Sequence, residues 1–151
     1  MIRYVQLLCF IVLASIAMKA SSQEMMLCGD FDTYVTLLNE RCPIEYRDSW
    51  AATSFVADGD TVRVELLTPA SLAGFLSMLI GDGDNVKRMW VNQLKVFGNP
   101  WAELFNRSVE AQRPLVITIK PKDSRTSGEI VYTPEDLAAM SDILGTPSSK
   151  P

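Results

Sequence analysis

The chain contains no histidine. That absence removes Ser-His-Asp and Cys-His catalysis, and it removes His-ligated zinc. Cysteine is scarce as well: Cys9, Cys28 and Cys42 are the whole supply, too few to complete a metal site without histidine. No Gly-x-Gly-x-x-Gly follows an apolar run, and no phosphate-loop lysine motif occurs. Positive charge is in the minority, with 14 basic against 18 acidic residues. An acidic surface disfavours nucleic acid and anionic membranes as partners. What survives these exclusions is carboxylate, Ser-Lys or tyrosine chemistry, or no catalysis at all. No catalytic residues, metal or cofactor are expected.

What is present begins with a leader. "MIRYVQLLCFIVLASIAMKASSQ" has a basic start at Arg3, an apolar run from Tyr4 to Met18 and then small residues. That is the three-part pattern of a secretory signal peptide, with the cut expected between Ser22 and Gln23. The alternative is an uncleaved anchor, but the run is shorter than the ~20 residues a spanning helix needs. Removing residues 1–22 takes Arg3 and Lys19, so 12 basic residues face 18 acidic ones, a net charge of −6. The expected product is an exported protein, periplasmic or extracellular, with no membrane span after cleavage. It would comprise a single domain over residues 23–144 and a polar tail, "GTPSSKP", over residues 145–151.

Cleavage also removes Cys9. The remaining pair, Cys28 and Cys42, brackets "GDFDTYVTLLNER". Two cysteines in an exported chain predict a disulfide, here worth ~3 kcal/mol in the chain-entropy picture. The alternative is two free thiols.

Hydrophobic spacing outlines the domain. Phe31, Tyr34, Val35 and Leu38 make one helical face over Asp30–Arg41, which Pro43 ends. Trp50–Val56 alternates weakly, "ADGD" marks a hairpin turn, and Val62, Val64 and Leu66 form the buried side of a second strand. Thr68 is placed to cap a helix started by Pro69, with Leu72, Phe75, Leu76 and Leu79 as its buried stripe. Asp84 is placed to cap the next helix, with Val86, Met89, Trp90, Leu94 and Phe97 on one side. Gly98 stops it, Asn99 caps another, and Trp101, Leu104, Phe105 and Val109 follow. "LVITIK" and "EIVY" read as a second hairpin. Thr133-Pro134 opens a last helix with Asp136 set for a capping box and Leu137, Met140 and Leu144 inward.

Hairpins that feed helices predict an α+β fold, an antiparallel sheet of about four strands with helices packed on one face. At an offset of 65 residues, Thr68-Pro69 falls on Thr133-Pro134 and Leu72-Ala73 on Leu137-Ala138. Two similar helix–hairpin–helix halves would explain that; so would a good strand-to-helix junction used twice.

Three features are candidates for function. "DGDN" at Asp82–Asn85 resembles the start of a calcium loop, but Val86 and Gln93 stand where oxygen ligands belong, so a helix-capping turn is the expected reading. The tryptophans Trp50, Trp90 and Trp101 are either core or the floor of a pocket, with Trp90 and Trp101 the binding candidates. Lys120, Lys122 and Arg125 form a basic loop which, with Lys87 and Arg88, is either solvated or a site for a partner or anionic ligand. "NRS" at Asn106–Ser108 fits the glycosylation sequon but sits in a predicted helix.

"LNERCPIEY", then Trp50, a strand, "DGD" and a strand, with Ser127-Gly128 and Thr133–Leu137 downstream, resembles small exported proteins of Bacteroidetes-type bacteria that share an Asn-x-x-Cys-Pro-Ile segment. That resemblance implies a Gram-negative periplasm or cell surface and an α+β fold, with no assigned activity and no catalytic residues. The leading functional expectation is an exported non-catalytic module that binds a protein or small ligand in the cell envelope. The alternatives are a small hydrolase or lyase using Asp82, Asp84 or Glu103, and a structural oligomeric envelope protein.

Overall fold

The computed structural model describes residues 30–145. The expected leader, its cleavage site, Cys28 and the tail beyond Gly145 lie outside the described residues.

Helix α1 spans Phe31–Glu40 and is capped by Asp30, whose carboxylate accepts the Asp32 N–H at 3.3 Å and the Thr33 hydroxyl at 2.9 Å. The Thr33 bond is the main reason Asp30 is held below the usual carboxylate range. Tyr34, Val35 and Leu38 are buried, as the spacing predicts. Cys42 just beyond is half-buried, has no disulfide partner among the described residues and makes a 3.7 Å contact to the Leu38 carbonyl, and burial pushes its pKa up.

A two-residue strand β1 (Ile44–Glu45), a 3₁₀ turn (Arg47–Ser49) and the hairpin β2 (Ala51–Asp58) and β3 (Thr61–Thr68) follow. Gly59 makes the hairpin turn at φ +58°, a conformation that suits glycine. β1 pairs only with Ala51 and Ala52, so among the described residues most of the outer edge of β2 lacks a strand partner. Asn39 closes part of that edge, its amide oxygen accepting the Phe55 N–H at 3.0 Å. The Asn of the Asn-x-x-Cys-Pro-Ile segment therefore joins α1 to the sheet.

A 3₁₀ stretch (Ala70–Phe75) and a single turn, α2 (Leu76–Leu79), lead to helices α3 (Asp84–Phe97) and α4 (Trp101–Glu110). Hairpin β4 (Leu115–Pro121) and β5 (Gly128–Tyr132) comes next, then helix α5 (Pro134–Leu144). The sheet order is β1-β2-β3-β4-β5. Both expected hairpins form, and the α+β class holds. The sheet differs from the expected one in two ways. It has a fifth, short strand, and β3 runs parallel to β4, with Val62 opposite Leu115 and Leu66 opposite Ile119. The helices between β3 and β4 supply the long crossover that a parallel pair requires.

Strand alternation places the layers. Val62, Val64 and Leu66, then Leu115, Ile117 and Ile119, then Ile130 and Tyr132 are all buried beneath the helices. Arg63, Glu129 and Lys120 are exposed on the other face. In the core Trp101 meets Phe55 at 5.9 Å and Phe105 meets Tyr132 at 5.6 Å between ring centroids. Such tilted pairs add ~1 kcal/mol each beyond area burial.

The two halves share an element order but not a handedness. From β2 to β5 the strands point up, down, down, up. Carrying the first half onto the second would reverse strand direction while keeping strand order and the helix-bearing face. Only a reflection does that, so no rotation superposes them. The Thr-Pro junctions differ too. Thr133 makes the expected capping box with Asp136. Thr68 does not cap: it is the last, fully buried residue of β3, and the cap position falls on Pro69, which has no hydroxyl to offer. Nor do Asp84 and Asn99 cap; Gly83 and Pro100 occupy those positions, and Asp84 is the first residue inside α3.

Candidate functional site

The chain between β1 and β2 reverses over five residues. The Tyr46 N–H donates to the Trp50 carbonyl at 2.8 Å. Inside the reversal Asp48 and Ser49 both sit at positive φ, 59° and 67°. The left-handed conformation costs roughly 1 kcal/mol for each such residue. The turn brings Tyr46 and Trp50 against the C-terminal end of α3. Tyr46 stacks on Phe97 at 4.5 Å, Trp50 tilts against Phe97 at 5.2 Å, and Trp50 meets Trp90 edge-on at 6.0 Å. Four rings therefore form a row, in the order Tyr46, Phe97, Trp50, Trp90.

Hydrogen bonds fix both ends of the row. The Tyr46 hydroxyl donates to the Asn99 carbonyl at 3.4 Å, and burial pushes its phenol up to about 12. The Trp90 indole donates to the Leu79 carbonyl at 2.5 Å, tying α3 to α2.

The row lines a groove. At one end lies an apolar slot of about 180 Å³, walled by Trp50, Trp90, Leu72, Leu79 and Met89. At the other lies an open trough of about 600 Å³, lined by Glu45, Tyr46, Arg47, Asp48, Val96 and Phe97. Trp50 and Gln93 line both, so slot and trough adjoin each other.

Helix α3 supplies one wall because it is rotated from the orientation its spacing predicts. The expected inward stripe is Val86, Met89, Trp90, Leu94 and Phe97. The buried stripe is Lys87, Trp90, Val91 and Leu94. Met89 and Val96 are left 41% and 79% exposed on the groove side. The opposite wall departs from expectation as well. Of Leu72, Phe75, Leu76 and Leu79, only Leu76 is buried. The segment winds as a 3₁₀ helix through Gly74, a poor helix former, so the α-helical stripe never assembles. Leu72 and Leu79 line the slot, while Phe75 and Met78 are 59% and 76% exposed. Patches of exposed large apolar side chains on a folded domain mark contact surfaces.

A second concavity, about 330 Å³, lies against β2 and β3 and includes Val56, Asp58, Arg63, Glu65 and Thr118. Its charges are already paired. Arg63 bonds Asp58 at 3.2 Å and Glu129 at 3.4 Å, and Lys120 approaches Glu65 at 3.7 Å. Glu45, Arg47 and Asp48 in the groove make no ion pair among the described residues. The groove is thus the better candidate.

The structure disperses the candidates read from sequence. Trp90 borders the slot. Trp101 lies in the core, fully buried against Phe55, and does not reach the groove. Lys87 is buried and ion-paired to Asp136, whereas Arg88 is exposed. Lys122 and Arg125 are exposed in the turn of the β4–β5 hairpin, and Lys120 lies on the open sheet face. Lys87 sits at the hairpin's other end, its carbonyl accepting the Tyr132 hydroxyl at 3.0 Å. The two basic groups therefore form no common patch. Asp82 and Asp84 are exposed, and Glu103 on α4 pairs with Arg107 at 2.9 Å, so these three carboxylates do not converge. Sequence reasoning missed Tyr46, Gln93 and Phe97 as groove residues. The available signal was Met89 and Val96, apolar residues out of phase with Trp90, Val91 and Leu94.

Fold and groove together define a two-layer α+β module with an aromatic-floored surface groove. No protein-family model and no curated protein matches the sequence. Among solved structures, the chain is similar to the type II secretion system pilotin AspS from Vibrio cholerae, at 14% identity and a TM-score of 0.47, over 80% of this chain and 98% of that one. It is also similar to the type 2 secretion system pilotin EpsS from Vibrio vulnificus, at 12% identity and a TM-score of 0.48, over 79% and 96%.

Proposed function

We propose that the protein is an exported, non-catalytic binding module that holds a segment of a partner protein in the groove around Trp50. The observation that carries this reading is the adjoining slot and trough, whose walls include the exposed apolar side chains Met89 and Val96. Covering apolar surface is worth ~25 cal/mol per Å², and interfaces concentrate that gain in a few anchors seated in pockets. The slot favours an anchoring side chain over a small ligand, and the trough, though about 600 Å³, is open rather than enclosing. At about 180 Å³ the slot is smaller than the ~300 Å³ at which small-molecule sites begin, yet it suits one aliphatic side chain. Export rests on the leader pattern of residues 1–22, and no helix among the described residues is long and apolar enough to cross a membrane.

The test is site-directed photo-cross-linking in the native cell. A photoreactive residue at position 93, between slot and trough, is compared with one at position 60, in the hairpin turn. The expected result is a discrete protein adduct from position 93 that disappears when Trp50→Ala is added. Equal adducts from both positions, or an adduct indifferent to Trp50→Ala, would overturn the proposal.

A further inference from the structure

Resting on that reading, we infer that the bound segment carries a lysine or arginine about 10 Å from an aliphatic anchor, with the cation in the trough and the anchor in the slot.

The trough has the chemistry of a cation site. Glu45 and Asp48 are exposed at its rim, and neither has an ion-pair partner among the described residues. Tyr46, Trp50 and Phe97 line the same trough. Carboxylates beside aromatic rings favour ammonium and guanidinium groups, because the negative ring face adds to the Coulomb attraction. Arg47 lines the same trough and opposes this, but it is one positive charge against two negative ones. The chain as a whole is acidic, −4 over its full length, which adds long-range attraction for a basic segment.

The spacing comes from α3. Met89 borders the slot and Val96 borders the trough, seven residues apart on one helix. At ~1.5 Å per residue they are ~10 Å apart. An extended segment covers that distance in about three residues at ~3.3 Å each, and a helical one in about seven. A flat β-strand would point residues three apart to opposite sides; an extended partner in the polyproline II form, with three residues per turn and ~3.1 Å rise, presents them on one side and would read aliphatic-x-x-basic, in either direction.

The experiment is a selection of random peptides on the purified protein. Selected peptides are then titrated by fluorescence anisotropy against wild type, Trp50→Ala and the double variant Glu45→Gln/Asp48→Asn, each checked for native circular dichroism. The expected result is enrichment of Lys or Arg at the stated spacing from Leu, Ile, Met or Val. Affinity should fall about tenfold in the double variant and weaken as salt is raised. Peptides that require Trp50 but bind the double variant as well as wild type would overturn the charge inference and leave the groove reading intact. Peptides indifferent to Trp50→Ala would overturn both. A selection enriched in acidic residues, or one that enriches nothing, also overturns the inference.

Discussion

The Lys87 ammonium lies 2.7 Å from the Asp136 carboxylate and joins the first turn of α3 to the first turn of α5. The same carboxylate accepts the Thr133 N–H at 3.0 Å, closing the capping box. Tyr132, next to Thr133, donates its hydroxyl to the Lys87 carbonyl. A lysine that reads in sequence as half of a basic surface pair is thus a tie between helices, leaving 8% of its surface exposed.

Removing one member of this pair is expected to cost more than removing the other. Asp136→Ala strands a buried ammonium and breaks the cap, a loss of about 3 kcal/mol. Lys87→Met keeps the aliphatic packing and leaves a carboxylate still bonded to Thr133, a loss of about 1 kcal/mol. Urea denaturation of the two variants checks the order; equal losses would show that the pair does not carry the contact.

Acid should undo the same tie. Partial burial alone would raise the Asp136 pKa, but the bonds from Lys87 and from the Thr133 N–H outweigh it and hold the group below its ordinary 3.8. A depressed native pKa means stability that is present above 3.8 and lost as pH falls through the lower native value. Wild-type stability is therefore expected to fall more steeply than that of Asp136→Asn below about pH 4. Denaturant midpoints measured across that range decide it, and parallel curves would count against the tie.

The alkaline limit should come from phenols. Burial raises Tyr34, Tyr46 and Tyr132, with Tyr46 reaching about 12. Each raised pKa contributes stability that is complete below the unfolded value of 10.0 and lost as pH rises through the native one. The melting temperature should drop above pH 10, with tyrosinate absorbance appearing together with unfolding. Early ionisation of these three tyrosines in the folded protein would contradict the burial.

Gly128 is required by a neighbour. A Cβ there would lie 2.6 Å from the Ile80 side chain, where the loop after α2 crosses the start of β5. Gly128→Ala is expected to destabilise by about 2 kcal/mol through overpacking. Ile80→Ala opens the space, so the double variant should lose less than the two single losses added together. Additive losses would place the strain elsewhere.

Local patterns carried much of the fold. The faces of α1, α4 and α5, both hairpins and the capping box at Thr133 were all legible, because each depends on residues within about one element's length. The parallel pairing of β3 and β4 was not. A strand with one buried face alternates in the same way whether its neighbour runs with it or against it. The rotation of α3 was also hidden. Lys87 looks polar, yet its stem packs inward while its ammonium reaches Asp136. That pulls the buried stripe toward Lys87, Trp90, Val91 and Leu94 and turns Met89 out, on the side where Val96 already faces.

The groove shows the division most clearly. Trp90 and Trp101 have the same apolar helical setting in sequence. What separates them is what packs opposite: Phe55 buries Trp101, while Trp90 faces the Trp50 turn, 40 residues earlier in the chain. Composition and spacing along the chain determine which segments turn, coil or extend, and they exclude histidine chemistry outright. They cannot say which of several apolar surfaces stays open. That depends on how α3 settles between the β1–β2 reversal and α2, a contact among distant segments that close packing decides for all of them together.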